Sequence, residues 1–241
     1  MDRRILVVGA SSGIGAAVAR EALDRGATVA GVARRADRLA AMAGLFAAPA
    51  DVTDAAAVDA AVDAAIDALG GLDDVVIAAG INRPGLIADT TVNDWRAVLD
   101  TNVIGMLNAV RAAGPALHTG RAPTLLVISS NAAQQVVSPQ NAIYSASKAA
   151  VHALADALRL EFAGAVRVVE LAPAYVRDTE IHRDYADPAH RAEADERQQM
   201  NGMDLDHVAR LIVDVLAEPS DIEIRLLEVS KPGYVLRPYR S

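Results

Sequence analysis

Seven residues near the start of the chain, Gly9-Ala10-Ser11-Ser12-Gly13-Ile14-Gly15, have the make-up of a phosphate cradle. Glycines let a backbone turn tightly and come close to a pyrophosphate, and a helix beginning there offers free N–H groups and the positive end of its dipole. A Gly-rich turn alone is a weak signal. Here it follows the apolar run Ile5-Leu6-Val7-Val8 and opens a helical stretch over residues 14–23, which is the context such a cradle needs. A second group is Tyr144-Ser145-Ala146-Ser147-Lys148. At i and i+4 on one helix the phenol and the ammonium share a side, and a cation within reach lowers a phenol's pKa toward general acid–base work. Tyr–Lys pairs at this spacing are common by chance. The weight lies in the apolar run ending Ser129-Ser130 that precedes the pair and brings a hydroxyl to it.

The end of the next apolar run bears on which nucleotide would be held. A nucleotide-binding fold often places an acid there to hold the adenosine ribose. This chain has Ala33 followed by Arg34-Arg35, so a guanidinium is free to pair with a 2′-phosphate. NADP(H) is therefore expected over NAD(H), with Arg34 as the fork, Arg35 as a second charge, and Ser11 and Ser12 as hydroxyl donors. Asp51-Val52 is placed to touch the adenine edge, although Asp51 serves equally well as a turn residue.

Positioning these groups requires alternating strands and helices. Short β-branched runs at 5–8, 28–32, 75–78, 125–128, 166–171 and 224–229 are separated by helical stretches at 14–23, 55–69, 92–113, 144–162 and 206–216. Asp54 suits the cap of the 55–69 helix, whose Val58, Val62, Ile66 and Leu69 share a face. Continuous apolar strands between helices predict a doubly wound parallel α/β sheet, a Rossmann fold with helices on both faces. One domain over residues 1–241 is expected. A polar, irregular stretch at 180–204, at the carboxyl edge of such a sheet, reads as a substrate-binding lid.

Composition excludes other classes. The chain is 52% hydrophobic, so it can bury a core, but only 3% aromatic, so Ala, Val, Leu and Ile must fill it. A formal charge of −8 disfavours a phosphate-backbone partner, and the absence of cysteine removes thiolate chemistry and disulfides. No apolar run approaches the roughly 20 residues of a membrane span, and no signal core follows Met1-Asp2-Arg3-Arg4. The expectation is a cytoplasmic protein without nucleic-acid or membrane partners. The five histidines lack metal-ligand spacing, so no metal is assigned.

Taken together these residues resemble the short-chain dehydrogenase/reductase family over essentially the whole chain. The matches run in order through Gly9, Gly13, Gly15, Ala79-Gly80, Asn102, Ser130, Tyr144, Lys148 and Pro173. The resemblance implies a tetrad in which Tyr144 exchanges a proton with substrate oxygen and Lys148 holds the nicotinamide ribose. Ser130 would hydrogen-bond the carbonyl or hydroxyl, and Asn102 would anchor a water that links Lys148 to solvent. It also implies cofactor contacts from Ile14, Val176 and Thr179, a carbonyl or alcohol substrate, and a homodimer or homotetramer built on the middle and Tyr–Lys helices. The sequence departs from the family at Val8, Ile77-Ala78 and Ala174, where Thr, Asn-Asn and Gly are usual. The interval from Ser130 to Tyr144 is one residue longer than usual, which leaves open whether Ser130 or a neighbour is the substrate-binding hydroxyl. The rival reading is a catalytically idle NADP-binding regulator on the same fold.

Overall fold

The computed structural model describes residues 1–136, 138–185 and 187–234; Val137, Ala186 (within the expected lid) and 235–241 lie outside the described residues. The six apolar runs and one further stretch, 45–49, form seven parallel strands: β1 Arg4–Val8, β2 Thr28–Ala33, β3 Leu45–Pro49, β4 Asp74–Ile77, β5 Thr124–Ile128, β6 Arg167–Pro173 and β7 Leu226–Val229. Their order is β3-β2-β1-β4-β5-β6-β7, the doubly wound arrangement expected. Val8 is paired with Val32 on one side and Ile77 on the other. Successive strands run outward from β1 to one edge and from β4 to the other. The reversal between β1 and β4 opens a crevice at their carboxyl ends, where ligands of such sheets bind.

Helices cover both faces. On one face α3 (Ala55–Leu69), α5 (Gly105–Leu117) and α6 (Ala142–Phe162) bury Val58, Val62, Met106, Ala109, Val151 and Ala155. On the other, α1 (Gly13–Asp24) and α8 (Leu205–Ala217) bury Ala17, Val18, Ala209, Ile212 and Val213. Alanine at so many contacts lets the helices lie close to the sheet, which is how a core with almost no aromatics is filled. The Asp54 side chain caps α3 by accepting from the Ala57 N–H, and Gly70, at φ 69°, ends it.

Two expectations are corrected. The helix expected over 92–113 is α4 (Val92–Leu99), a π turn at Asp100–Ile104, and then α5, which runs on to Leu117. The stretch 180–204 is not irregular throughout, for it holds α7 (Pro188–Asn201). That helix is polar on nearly every side, so no apolar periodicity announces it. Its start was nonetheless marked, with Asp187 accepting from the Ala189 N–H and Pro188 in the first turn.

The amino ends of the strands are clamped by charge. Arg3 Nε donates to Asp74 at 2.8 Å, and both Arg4 (2.7 Å) and Arg121 (2.9 Å) grip Asp73. Both carboxylates are fully buried. Burial would raise the Asp73 carboxyl, but Arg4 and Arg121 hold it below the usual carboxylate range. In Asp74 burial outweighs Arg3, and its pKa is pushed up to about 6.

Candidate active site

At the carboxyl end of β1 the chain turns through Gly9, at φ 94°, where a Cβ would stand 2.6 Å from the Ala79 nitrogen. A Cβ on Gly15 would stand 2.4 Å from the Gly9 carbonyl oxygen. Only glycine lets the turn, the β4 end and the start of α1 come together this closely. Ser12 precedes α1, yet its hydroxyl makes no cap, so among the described residues no side chain bonds the first-turn N–H groups. The residues present therefore fit the cradle for a nucleotide pyrophosphate that the sequence predicts.

The Arg pair divides. Arg35, not Arg34, turns toward the cradle, donating from Nε to Ser11 Oγ (3.1 Å) and from Nη2 to Ser12 Oγ (2.6 Å). Arg34 is exposed and faces Asp51 at 3.7 Å. Asp51 also accepts from the Thr53 N–H at 3.0 Å, so the turn role considered for it is realised. Val52 is buried behind the same turn, where it packs against Gly105.

Beyond β4, Ala79 and Gly80 lead to the π turn. Asn102, almost wholly buried there, accepts from the Ile81 N–H at 2.8 Å and donates to the Ile81 carbonyl and to Ser147 Oγ, both at 3.0 Å. These bonds fix the widened turn against the β4 end and α6 at once. A Cβ on Gly80 would lie 3.3 Å from Asn102 Oδ1 and 3.5 Å from Lys148 Nζ, so the three positions meet around one small space.

Tyr144 and Lys148 lie one turn apart on α6 as expected. Burial pushes the Tyr144 phenol up, and the neighbouring Ser130 side chain pulls it partly back. This differs from the phenol lowered by a cation that the i, i+4 spacing predicts. Lys148 directs its ammonium to the Ile128 carbonyl at 2.8 Å and stands 5.8 Å from the phenol ring centre, so burial decides the direction. Lys148 is itself buried, which lowers it to about 8 against the upward pull of Glu170.

The two serines differ in their partners. Ser129 Oγ is committed to the buried Glu170 carboxylate at 2.5 Å, whereas Ser130 Oγ lies beside Tyr144 and receives the Ala132 N–H at 3.2 Å. Glu170 was missed from the sequence. It sits on β6 beneath α6, fully buried, and also meets His152 Nδ1 at 2.7 Å, one turn beyond Lys148. Its one visible signal was an acid in the midst of the apolar residues that follow Arg167 in β6.

Thr179 lies over the cradle, with its side chain 3.5 Å from where a Gly13 Cβ would be. Gln198 of α7 holds it, donating to Thr179 Oγ1 at 2.5 Å and to the Val176 carbonyl at 2.7 Å. Pro173 ends β6, and Val176 is buried between. Across the crevice Asn82 donates to Tyr185 Oη at 3.2 Å, which brings the 180–204 segment against the Tyr144 side of the site.

Comparisons with known proteins agree with this geometry. Residues 3–189 match the family model of short chain dehydrogenases. An uncharacterized oxidoreductase of Staphylococcus aureus (strain MW2) is 32% identical over 235 residues, covering 95% of this chain and 96% of its own. A short chain dehydrogenase from Burkholderia cenocepacia J2315, solved in complex with NADP, is 33% identical with a TM-score of 0.81 over 94% of this chain and 96% of that one. An alcohol dehydrogenase from the archaeon Thermococcus sibiricus, complexed with 5-hydroxy-NADP, shares the fold at a TM-score of 0.87 over all of both chains, with 24% identity.

Proposed function

Because the chain belongs to the short chain dehydrogenase family, we propose that it is an NADP(H)-dependent oxidoreductase that interconverts a carbonyl compound and an alcohol. The observation that carries this reading is the convergence of Tyr144, Ser130, Lys148 and Asn102 beside a glycine cradle at the sheet's switch point. When bound, the nicotinamide supplies or accepts the hydride. Gly9, Gly13, Ile14 and Gly15 would receive the pyrophosphate, and Ser11, Ser12, Arg34 and Arg35 the 2′-phosphate. Asp51 and Val52 would border the adenine, and Ala79, Gly80, Pro173, Val176 and Thr179 the remainder.

The catalytic work of the chain is proton transfer and orientation. In reduction, Tyr144 Oη gives its proton to the substrate oxygen as the carbonyl carbon gains the hydride; in oxidation the proton returns. Ser130 donates a hydrogen bond to that oxygen. The Lys148 ammonium favours the phenolate that remains, and Asn102 fixes the π turn that closes the site behind Lys148. Proton donation of this kind contributes about 10²–10⁴-fold, and fixed geometry supplies much of the rest.

We further take residues 1–241 as one domain and 180–204 as its substrate lid, in a cytoplasmic homo-oligomer. Among the described residues no helix is long and apolar enough to cross a membrane. Leu99, Ile104 and Leu160 expose large apolar side chains on the helices expected to meet in the oligomer, which supports that assembly.

Turnover decides the main reading. Purified protein mixed with NADPH and a panel of ketones and aldehydes should consume NADPH absorbance with at least one of them. No consumption with any carbonyl, nor NADP+ reduction with any alcohol, would remove it.

Glu170 supplies a second check, through pH. Its negative charge raises the buried Lys148 ammonium, so Glu170→Gln should let Lys148 lose its proton at lower pH. Since the protonated lysine is the working form, the alkaline limb of kcat/KM against pH should move down by about one unit. An unmoved limb would show that Lys148 does not set it.

A further inference from the structure

The Arg side chains nearest the cradle already hold an anion, and it comes from the chain itself. Arg35 Nη1 donates to Glu180 Oε2 at 2.6 Å, and Arg38 Nη1, from α2 (Ala36–Ala40), donates to Glu180 Oε1 at 2.6 Å. One carboxylate thus bridges two guanidinium groups, while Arg35 keeps its other nitrogens on Ser11 and Ser12. The contact closes a link between positions 142 and 145 residues apart, from α2 to the segment after β6. Asp178 enters that segment at φ 59°, a conformation that non-glycine residues adopt uncommonly. Thr179 then passes over Gly13, pinned by Gln198, and Glu180 completes the crossing. Burial alone would raise the Glu180 carboxyl; Arg38 and Arg35 overcome it and hold the group at about 2, so it is ionised at any working pH.

A bridged carboxylate presents two oxygens and one negative charge to the two forks. A 2′-phosphate presents three oxygens and between one and two charges, and guanidinium recognises both groups in the same planar fashion. We propose that Glu180 is an internal competitor for the 2′-phosphate, occupying the Arg35–Arg38 pair when the cofactor leaves and yielding it when a 2′-phosphorylated nucleotide binds. The proposal rests on the NADP(H) reading above and deepens it, adding Arg38 and Glu180 to the groups that set cofactor affinity. Its consequence for turnover is faster release. A site that refills its own anion position loses bound cofactor more readily than one left with two unpaired guanidinium groups, and product release often limits such enzymes.

The test is titration calorimetry on the full chain with two probes that differ only in the phosphate, adenosine 2′,5′-bisphosphate and 5′-AMP. Glu180→Gln keeps the shape and removes the charge. It should tighten the bisphosphate by about tenfold, the scale of one charge-assisted contact at a partly exposed site. The affinity for 5′-AMP, which lacks the 2′-phosphate, should change by less than about twofold on the same grounds. Stopped-flow dissociation of NADPH should slow in proportion. Glu180→Ala, which leaves no side chain to rebuild the bridge, should reproduce the tightening. Bisphosphate affinity unchanged or weakened in both variants overturns the proposal. A wild-type protein that binds the two probes equally overturns instead the NADP(H) reading on which it stands.

Discussion

Tyr144→Phe should lower kcat by about 10²–10⁴-fold, the range that a positioned proton donor contributes, while NADPH binding followed by fluorescence titration stays close to wild type. The two effects separate because of where the residue sits. Tyr144 lies on α6 with its side chain half-buried, so a phenyl ring of nearly the same volume preserves the packing. What is lost is one oxygen beside Ser130, and with it the proton for the substrate. Among the described residues no neighbour is placed to substitute. Lys148 directs its ammonium to the Ile128 carbonyl, and Tyr185, whose phenol burial pushes far up, is bonded to Asn82. A variant retaining more than about a tenth of wild-type kcat would remove Tyr144 from the chemistry, since even the low end of general-acid catalysis exceeds that.

Cofactor choice carries the second large effect. The wild type should prefer NADP(H) over NAD(H) by at least about tenfold in kcat/KM, because a charge-assisted contact to a phosphate is worth about 1.5–3 kcal/mol. Ala33→Asp with Arg34→Ala and Arg35→Ala should reverse the order. Ala33 ends β2, its carbonyl accepting from the Ala50 N–H at 3.1 Å, so a carboxylate there stands at the strand end where it accepts from a ribose hydroxyl and repels a phosphate. The structure also ranks the single changes. Arg35 contacts Ser11 and Ser12, whereas Arg34 is exposed and faces Asp51, so Arg35→Ala should cost more than Arg34→Ala. Steady-state kinetics with both cofactors decides this. Equal use of the two by the wild type would sink the preference, and an unchanged preference in the triple variant would locate it elsewhere.

The features legible in the sequence were local. Buried strands such as 5–8 show as unbroken apolar runs because both of their faces are covered, and the turn shows because backbone crowding at Gly9 and Gly15 admits no side chain. Tyr144 and Lys148 drew notice through helical spacing combined with the apolar run ending Ser129-Ser130 before them. The features that stayed hidden are set by partners distant in the chain. The π turn exists because Asn102 bonds Ile81 and Ser147, and nothing within 100–104 requires it. Glu170 gains its meaning from Ser129 and His152, which come from two other elements. Arg35 and Arg34 are adjacent and chemically identical; only the fold at the end of β2 tells them apart.

The clamp formed by Arg3, Arg4, Arg121, Asp73 and Asp74 stands at the opposite end of the strands from everything the site uses. The segment between β6 and α8 is fastened by contacts of its own, such as Gln198 with the Val176 carbonyl and His182 with Asp195, and none of these reaches the clamp. What secures the sheet and what forms the proposed lid are thus written in separate stretches of the chain. Descendants of this sequence can rewrite the part of the proposed 180–204 lid that follows Glu180, and with it the range of molecules that lid would admit, while the inheritance that keeps the strands in register passes on unaltered.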